Sequence, residues 1–130
     1  MTRKRPLIFL VALGWGAVVS FLMATSRPAF AENHPGKQLF EKRCTGCHAL
    51  GNEKTGPHLR GVYGRRAASV TSFQYSEALR KSHITWDSGT LGKWLTDPDA
   101  FIPDNDMAFR VANPEEREAI IGYLKEVSGK

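Results

Sequence analysis

Cysteine is scarce in this chain of 130 residues: there are two, Cys44 and Cys47, three positions apart. A bridge between them would close a tiny loop and restrain almost nothing of a fold. That removes the disulfide framework on which small exported domains often depend. The sequence also lacks a second Cys-x-x-Cys, any His-x-x-x-His, internal repeats and low-complexity tracts. These absences argue against a structural zinc centre, a fibre and a disordered chain. No run alternates convincingly as a strand. Acidic residues are missing from the first 31 positions, which hold Arg3, Lys4, Arg5 and Arg27. The formal charge of +5 belongs to that segment, because the rest carries 14 basic and 13 acidic residues, a net of +1. So even a balance offers no electrostatic footprint for nucleic acid.

What is present begins with a leader. Thr2 to Pro6 form a positive start, Leu7 to Ala24 an apolar run, and Ala29-Phe30-Ala31 a small-x-small cleavage site. This order predicts a secretory signal peptide over residues 1–31, cut before Glu32. Retention as a membrane anchor is the alternative, since the run approaches the ~20 residues that span a bilayer. Either way the positive-inside bias exports residues 32–130. No later stretch is apolar enough to span. The exported part is then one domain, small enough to be marginal on its own core and to need a staple.

The two cysteines lie in Cys44-Thr45-Gly46-Cys47-His48. Cys-x-x-Cys-His is the attachment signature of c-type haem. Two thiols one helical turn apart reach the two vinyl groups on one porphyrin edge, and the next residue directs an imidazole at the iron. The apolar disc supplies the missing core. A thioredoxin-like reading would need a strand–helix–strand context that is not visible here. His48 is thus the expected proximal iron ligand. Met107 is the only methionine beyond the leader, in the irregular stretch Ile102 to Phe109, and it is the expected distal ligand. His34 at a frayed terminus, His83 in a polar turn and His58 are its rivals. A His/Met pair raises the reduction potential and closes the iron to small molecules.

Helical signals frame the domain. Pro35 suits a first helical position, and Leu39, Phe40 and Arg43 continue a face towards Cys44. Asn113-Pro114-Glu115-Glu116 reads as an N-cap, a proline at the first turn and a capping-box glutamate, followed by a stripe of Ile120, Ile121, Leu124 and Val127. A third helix is expected from about Thr90 to Thr96, with Pro98 as its stop. The predicted fold is all-α, wrapped around one haem.

In these residues the chain resembles the class I c-type cytochromes, and in particular the mitochondrial cytochrome c and bacterial cytochrome c2 group. The matching blocks include Gly36-Lys37-Gln38-Leu39-Phe40, Cys44 to His48, Lys54-Thr55-Gly56-Pro57, Gly61 to Arg66, Phe73 to Ser76, Trp86, Ile102-Pro103 and Met107-Ala108-Phe109. The resemblance implies that the Pro57 carbonyl accepts from His48 Nδ1 and that Arg65, Tyr75 and Trp86 hold the haem propionates. It also implies that the terminal helices cross with Gly36 and Phe40 facing Ile120 and Tyr123. By themselves, Gly56-Pro57 would be a turn, Tyr75 and Trp86 core aromatics, and Arg65 a solvated charge.

Three departures stand out. Trp94 occupies a position where the family usually has tyrosine, either as plain core or with its indole N–H turned to the Met107 sulfur. His58 stands where asparagine is common, exposed or in a peripheral hydrogen bond. Asp99, Ala100 and Asp106 replace parts of the family's lysine ring, leaving Arg43, Lys54 and Arg110 near the expected haem edge. The expectation is weaker salt dependence and a partner different from a mitochondrial-type oxidase, or a docking face centred on apolar contact. The function implied is a monomeric, non-enzymatic electron carrier of the bacterial periplasm, exchanging electrons with redox proteins. Its rivals are an electron-accepting subunit of a periplasmic dehydrogenase and a peroxidase-like haem with an open sixth site.

Overall fold

The structure, a computed structural model, describes residues 34–130; the expected leader of residues 1–31 lies outside them. Five helices follow in order: α1 (Pro35–Arg43), α2 (Glu77–Lys81), α3 (Ser88–Thr96), α4 (Pro98–Phe101) and α5 (Pro114–Glu126). Among the described residues the only extended pairing is an isolated bridge between Arg66 and Thr85. None of these helices is long and apolar enough to cross a membrane.

The two terminal helices start as their sequences suggest. Pro35 and Pro114 stand at first-turn positions, where a missing N–H costs nothing. Asn113 Oδ1 accepts the Glu116 N–H at 3.0 Å. The Glu116 side chain does not close the expected capping box. It leaves the helix end to pair with Arg43 of α1, 2.6 Å from Oε2 to Nη2, because a guanidinium offers a carboxylate more than one backbone N–H does. His34 is likewise not frayed. Its Nδ1 caps α1 by accepting the Gly36 N–H at 3.0 Å, and its ring packs 5.8 Å from that of Tyr123.

Helices α1 and α5 cross at Gly36. A Cβ there would sit 1.9 Å from the Ala119 carbonyl oxygen and 2.9 Å from Tyr123 Cβ, so only glycine admits this approach. One turn on, the Phe40 and Tyr123 rings lie 5.5 Å apart. The crossing buries Phe40, Ile120, Tyr123 and Leu124, and α3 adds Leu91, Trp94 and Leu95 to the same core.

Helix α3 begins at Ser88, two residues before its expected start, because Asp87 and Thr90 form a full capping box. It ends at Thr96, as expected, with Asp97 extended before Pro98. Pro98 also opens α4, capped by Asp97 Oδ1 accepting from Ala100 N at 3.1 Å. Helix α2, absent from the sequence expectation, is a single turn capped by Ser76.

Candidate haem site

One cavity is lined by all eight residues singled out in the sequence: Cys44, Cys47, His48, Pro57, Arg65, Tyr75, Trp86 and Met107. Its remaining walls are largely apolar, with Leu59, Val62, Leu79, Leu91, Leu95 and Leu124 among them.

The end of α1 places the cysteines and His48. The chain leaves the helix in a tight turn in which Cys47 N and His48 N both donate to the Cys44 carbonyl, at 3.1 and 2.8 Å. Both thiols are free, Cys47 exposed and Cys44 partly buried. Burial pushes the Cys44 thiol up to about 11, against the opposing charge of Arg43. The next turn folds back beneath it: Gly56 N donates to the Cys47 carbonyl at 2.8 Å. A Cβ on Gly56 would come within 2.2 Å of His48 Cε1, so the backbone is pressed against the imidazole. The Pro57 carbonyl lies 2.8 Å from His48 Nδ1. A carbonyl only accepts, so Nδ1 carries the proton and Nε2 keeps its lone pair. Burial, chiefly, holds His48 below the ordinary imidazole value; the Pro57 bond opposes this and the Lys54 charge adds to it. The ring thus presents the Nε2 lone pair to the cavity, as a metal ligand must.

Met107 reaches the same cavity from the irregular segment before α5. Its N–H donates to Asn105 Oδ1 at 2.7 Å, and Asn105 Nδ2 donates to the Ile102 carbonyl at 2.9 Å. Trp94, on α3, donates its indole N–H to the Met107 sulfur at 3.1 Å. Of the two readings of Trp94, the structure shows the donor. A thioether sulfur has two lone pairs, and the indole occupies one, leaving the other for a metal.

Trp86 is buried with its ring 5.4 Å from that of Trp94. Tyr75 packs edge-on against Phe73 at 4.9 Å. Arg65 is anchored by the carbonyls of His58, at 2.9 Å, and Arg60, at 3.2 Å. His58 takes the peripheral option: its ring sits between Glu53, at 3.1 Å, and Arg65, at 3.3 Å. Sequence reasoning missed Asn105 and Glu53. The Asx-turn spacing of Asn105, two residues before Met107, was a usable signal; nothing local marks Glu53.

The cytochrome c family model matches residues 34–128. The chain belongs to the cytochrome c family. Cytochrome c2 iso-2 of Magnetospirillum molischianum is 45% identical over 85 residues, covering 63% of this chain and 88% of that protein. Cytochrome c2 of Rhodomicrobium vannielii is 36% identical over 120 residues, covering 88% of this chain and 95% of that one. Among solved structures, cytochrome cH from Methylobacterium extorquens superposes with a TM-score of 0.67 at 36% identity, covering 71% of this cytochrome and 95% of that chain.

This cytochrome is a haem electron-transfer protein with one covalently attached haem c and its iron. The cavity fits that group. It offers apolar walls for the disc, two free thiols one turn apart, a neutral imidazole, a thioether, and an arginine for carboxylates that would otherwise be desolvated unpaired.

Proposed function

We propose that the cytochrome is a non-enzymatic, monomeric one-electron carrier of the bacterial periplasm. In this reading Cys44 and Cys47 hold the haem as thioethers, His48 and Met107 ligate the iron, and Arg65, Tyr75 and Trp86 receive the propionates. The haem supplies the one-electron couple of its iron. The observation that carries the reading is the indole bond to the Met107 sulfur inside the cavity that His48 also lines. A sulfur oriented in this way is prepared for ligation, whereas a peroxidase-like open site has no use for it.

The protein's own groups do the rest. Pro57 keeps the His48 proton on Nδ1. Trp94 withdraws electron density from the sulfur and favours the reduced state. The apolar walls exclude water, which limits reorganisation. Beside Met107, Phe109 is the one large hydrophobic side chain of the described residues that is exposed, at 39%. Next to it Arg110 is engaged by Asp97 at 2.9 Å and Asp99 at 3.5 Å. The Arg110 cation is thus neutralised by its own neighbours, which together with Phe109 supports docking through apolar contact with redox proteins. The export reading is supported by the leader and by the Rhodomicrobium alignment, which covers more of the chain than residues 34–130 provide.

An absorption spectrum of the exported protein tests the site. A c-type reduced spectrum with a far-red sulfur-to-iron band when oxidised is expected. Met107→Ala should keep the haem, lose that band and bind added cyanide; unchanged cyanide binding would remove Met107 from the iron.

A further inference from the structure

His58 follows directly on Pro57, whose carbonyl orients His48, yet both its ring nitrogens point away from that contact. Nδ1 lies 3.1 Å from Glu53 Oε1, and Nε2 lies 3.3 Å from Arg65 Nη1. A carboxylate only accepts and a guanidinium only donates. The partners therefore assign the tautomer: the proton sits on Nδ1 towards Glu53, and the Nε2 lone pair faces Arg65. The neutral ring is a bridge between an anion and a cation.

Each end of the bridge is tied down. Glu53 Oε1 also accepts from Ser72 Oγ at 2.8 Å. Hydrogen bonds from Ser72 and then His58 hold the Glu53 carboxyl below its ordinary value. The other groups around the bridge are Tyr75, whose phenol is within the electrostatic reach of Arg65 and Glu53, and Arg60, which contributes its carbonyl. The guanidinium of Arg65 thus has three acceptors on this side, one of them titratable, while its residue lines the haem cavity. About a third of the His58 and Glu53 side chains is exposed, 30% and 34%, so water can deliver and remove a proton without any opening of the fold.

We propose that His58 positions Arg65 in a proton-dependent way and thereby links electron uptake to proton uptake. Neutral His58 accepts from Arg65 and holds the guanidinium in place. Protonation at Nε2 ends that bond, sets two cations against each other and adds a positive charge to the same wall of the cavity. An electron supplied by the donor protein favours that charge. Reduction therefore raises the fraction of His58 that carries a proton from water at Nε2, and oxidation returns the electron and that share of the proton. By linkage the proton affinity of His58 is higher in the reduced protein, and the midpoint potential falls as pH rises through its titration. The inference rests on the reading that Arg65 faces the haem carboxylates.

The test uses the haem-loaded protein. NMR titration of the His58 imidazole, assigned by its absence in His58→Asn, is run on both redox states, alongside midpoint potentials from pH 5 to 8, where imidazoles titrate. A proton affinity roughly five-fold higher in the reduced form is expected, the low end of coupling between two sites because the ring is partly in water. His58→Asn should flatten the potential profile, and Glu53→Gln should lower the His58 affinity in both states. Equal affinities in the two states, or a profile unchanged in His58→Asn, would overturn the inference while a normal c-type spectrum left the functional reading intact. Loss of the functional reading would show separately, as missing haem or an altered ligand spectrum in the unsubstituted protein.

Discussion

The segments that carry His48 and Met107 are held by different kinds of bond. Around His48 the backbone bonds to itself. Besides the turn at Cys44, Leu59 N donates to the Ala49 carbonyl at 2.9 Å, Arg60 N to Leu50 at 3.0 Å, and Lys54 N to Gly56 at 2.9 Å. Around Met107 the holding groups are side chains: Asn105 for its N–H and Trp94 for its sulfur. After it the main chain is next pinned at Val111, whose N–H donates to Leu95 at 2.8 Å and whose carbonyl accepts from Arg117. The difference teaches which of the two proposed ligands can leave. A backbone mesh opens only with the fold, whereas a side-chain clamp opens by one rotamer change, so exchange belongs to the Met107 side.

Substitution should sharpen that contrast. The largest effect is expected on the meshed side. Gly56→Ala sets a methyl 2.2 Å from His48 Cε1, and neither the ring nor the doubly bonded turn can give way. A loss of about 3 kcal/mol in denaturant unfolding is expected, the upper range for overpacking; wild-type stability would show the turn to be soft. On the clamped side the global fold should hardly change. Asn105→Ala strips the Met107 N–H of its partner, and imidazole or cyanide binding to the oxidised protein should tighten about five-fold, for a bond worth roughly 1 kcal/mol. Unaltered exogenous binding would mean that the segment is held by something other than Asn105. The smallest effect is expected from Trp94→Phe, which keeps the ring and removes the N–H. Without the indole the sulfur donates more strongly to the oxidised iron, so the midpoint potential should fall. One hydrogen bond, about 0.5–1.5 kcal/mol, corresponds to roughly 20–65 mV for one electron. A potential unmoved in Trp94→Phe would reduce the 3.1 Å contact to packing.

Short-range features of the fold were legible in advance. Pro35 and Asn113-Pro114 mark helix starts through bonds made within one turn, and they mark them correctly. The errors arose where a local signal had a distant competitor. Glu116 has a capping-box position, but its carboxylate goes to Arg43, 73 residues away in sequence. Pro98 marks the end of α3 as expected, but the short helix it then begins, with Asp97 as a cap, was not foreseen. His34 stood near the start of the expected domain and was assigned to a frayed end, but its Nδ1 and the Tyr123 ring engage it.

By itself the sequence determined the attachment pattern Cys44 to His48, the single methionine after residue 31 and the all-α terminal pair. Each depends only on residue identity and spacing within a turn or two of chain. The tertiary structure alone decided which way the polar edges of the larger side chains face. The indole of Trp94 turns to the Met107 sulfur because α3 is packed, through Leu91 and Leu95, into the core that α1 and α5 build. Likewise His58 bridges Glu53 and Arg65 because the segments on either side of Pro57 fold back on one another. A side chain's rotamer is chosen by neighbours that the chain brings from elsewhere, and no spacing along the sequence encodes that choice.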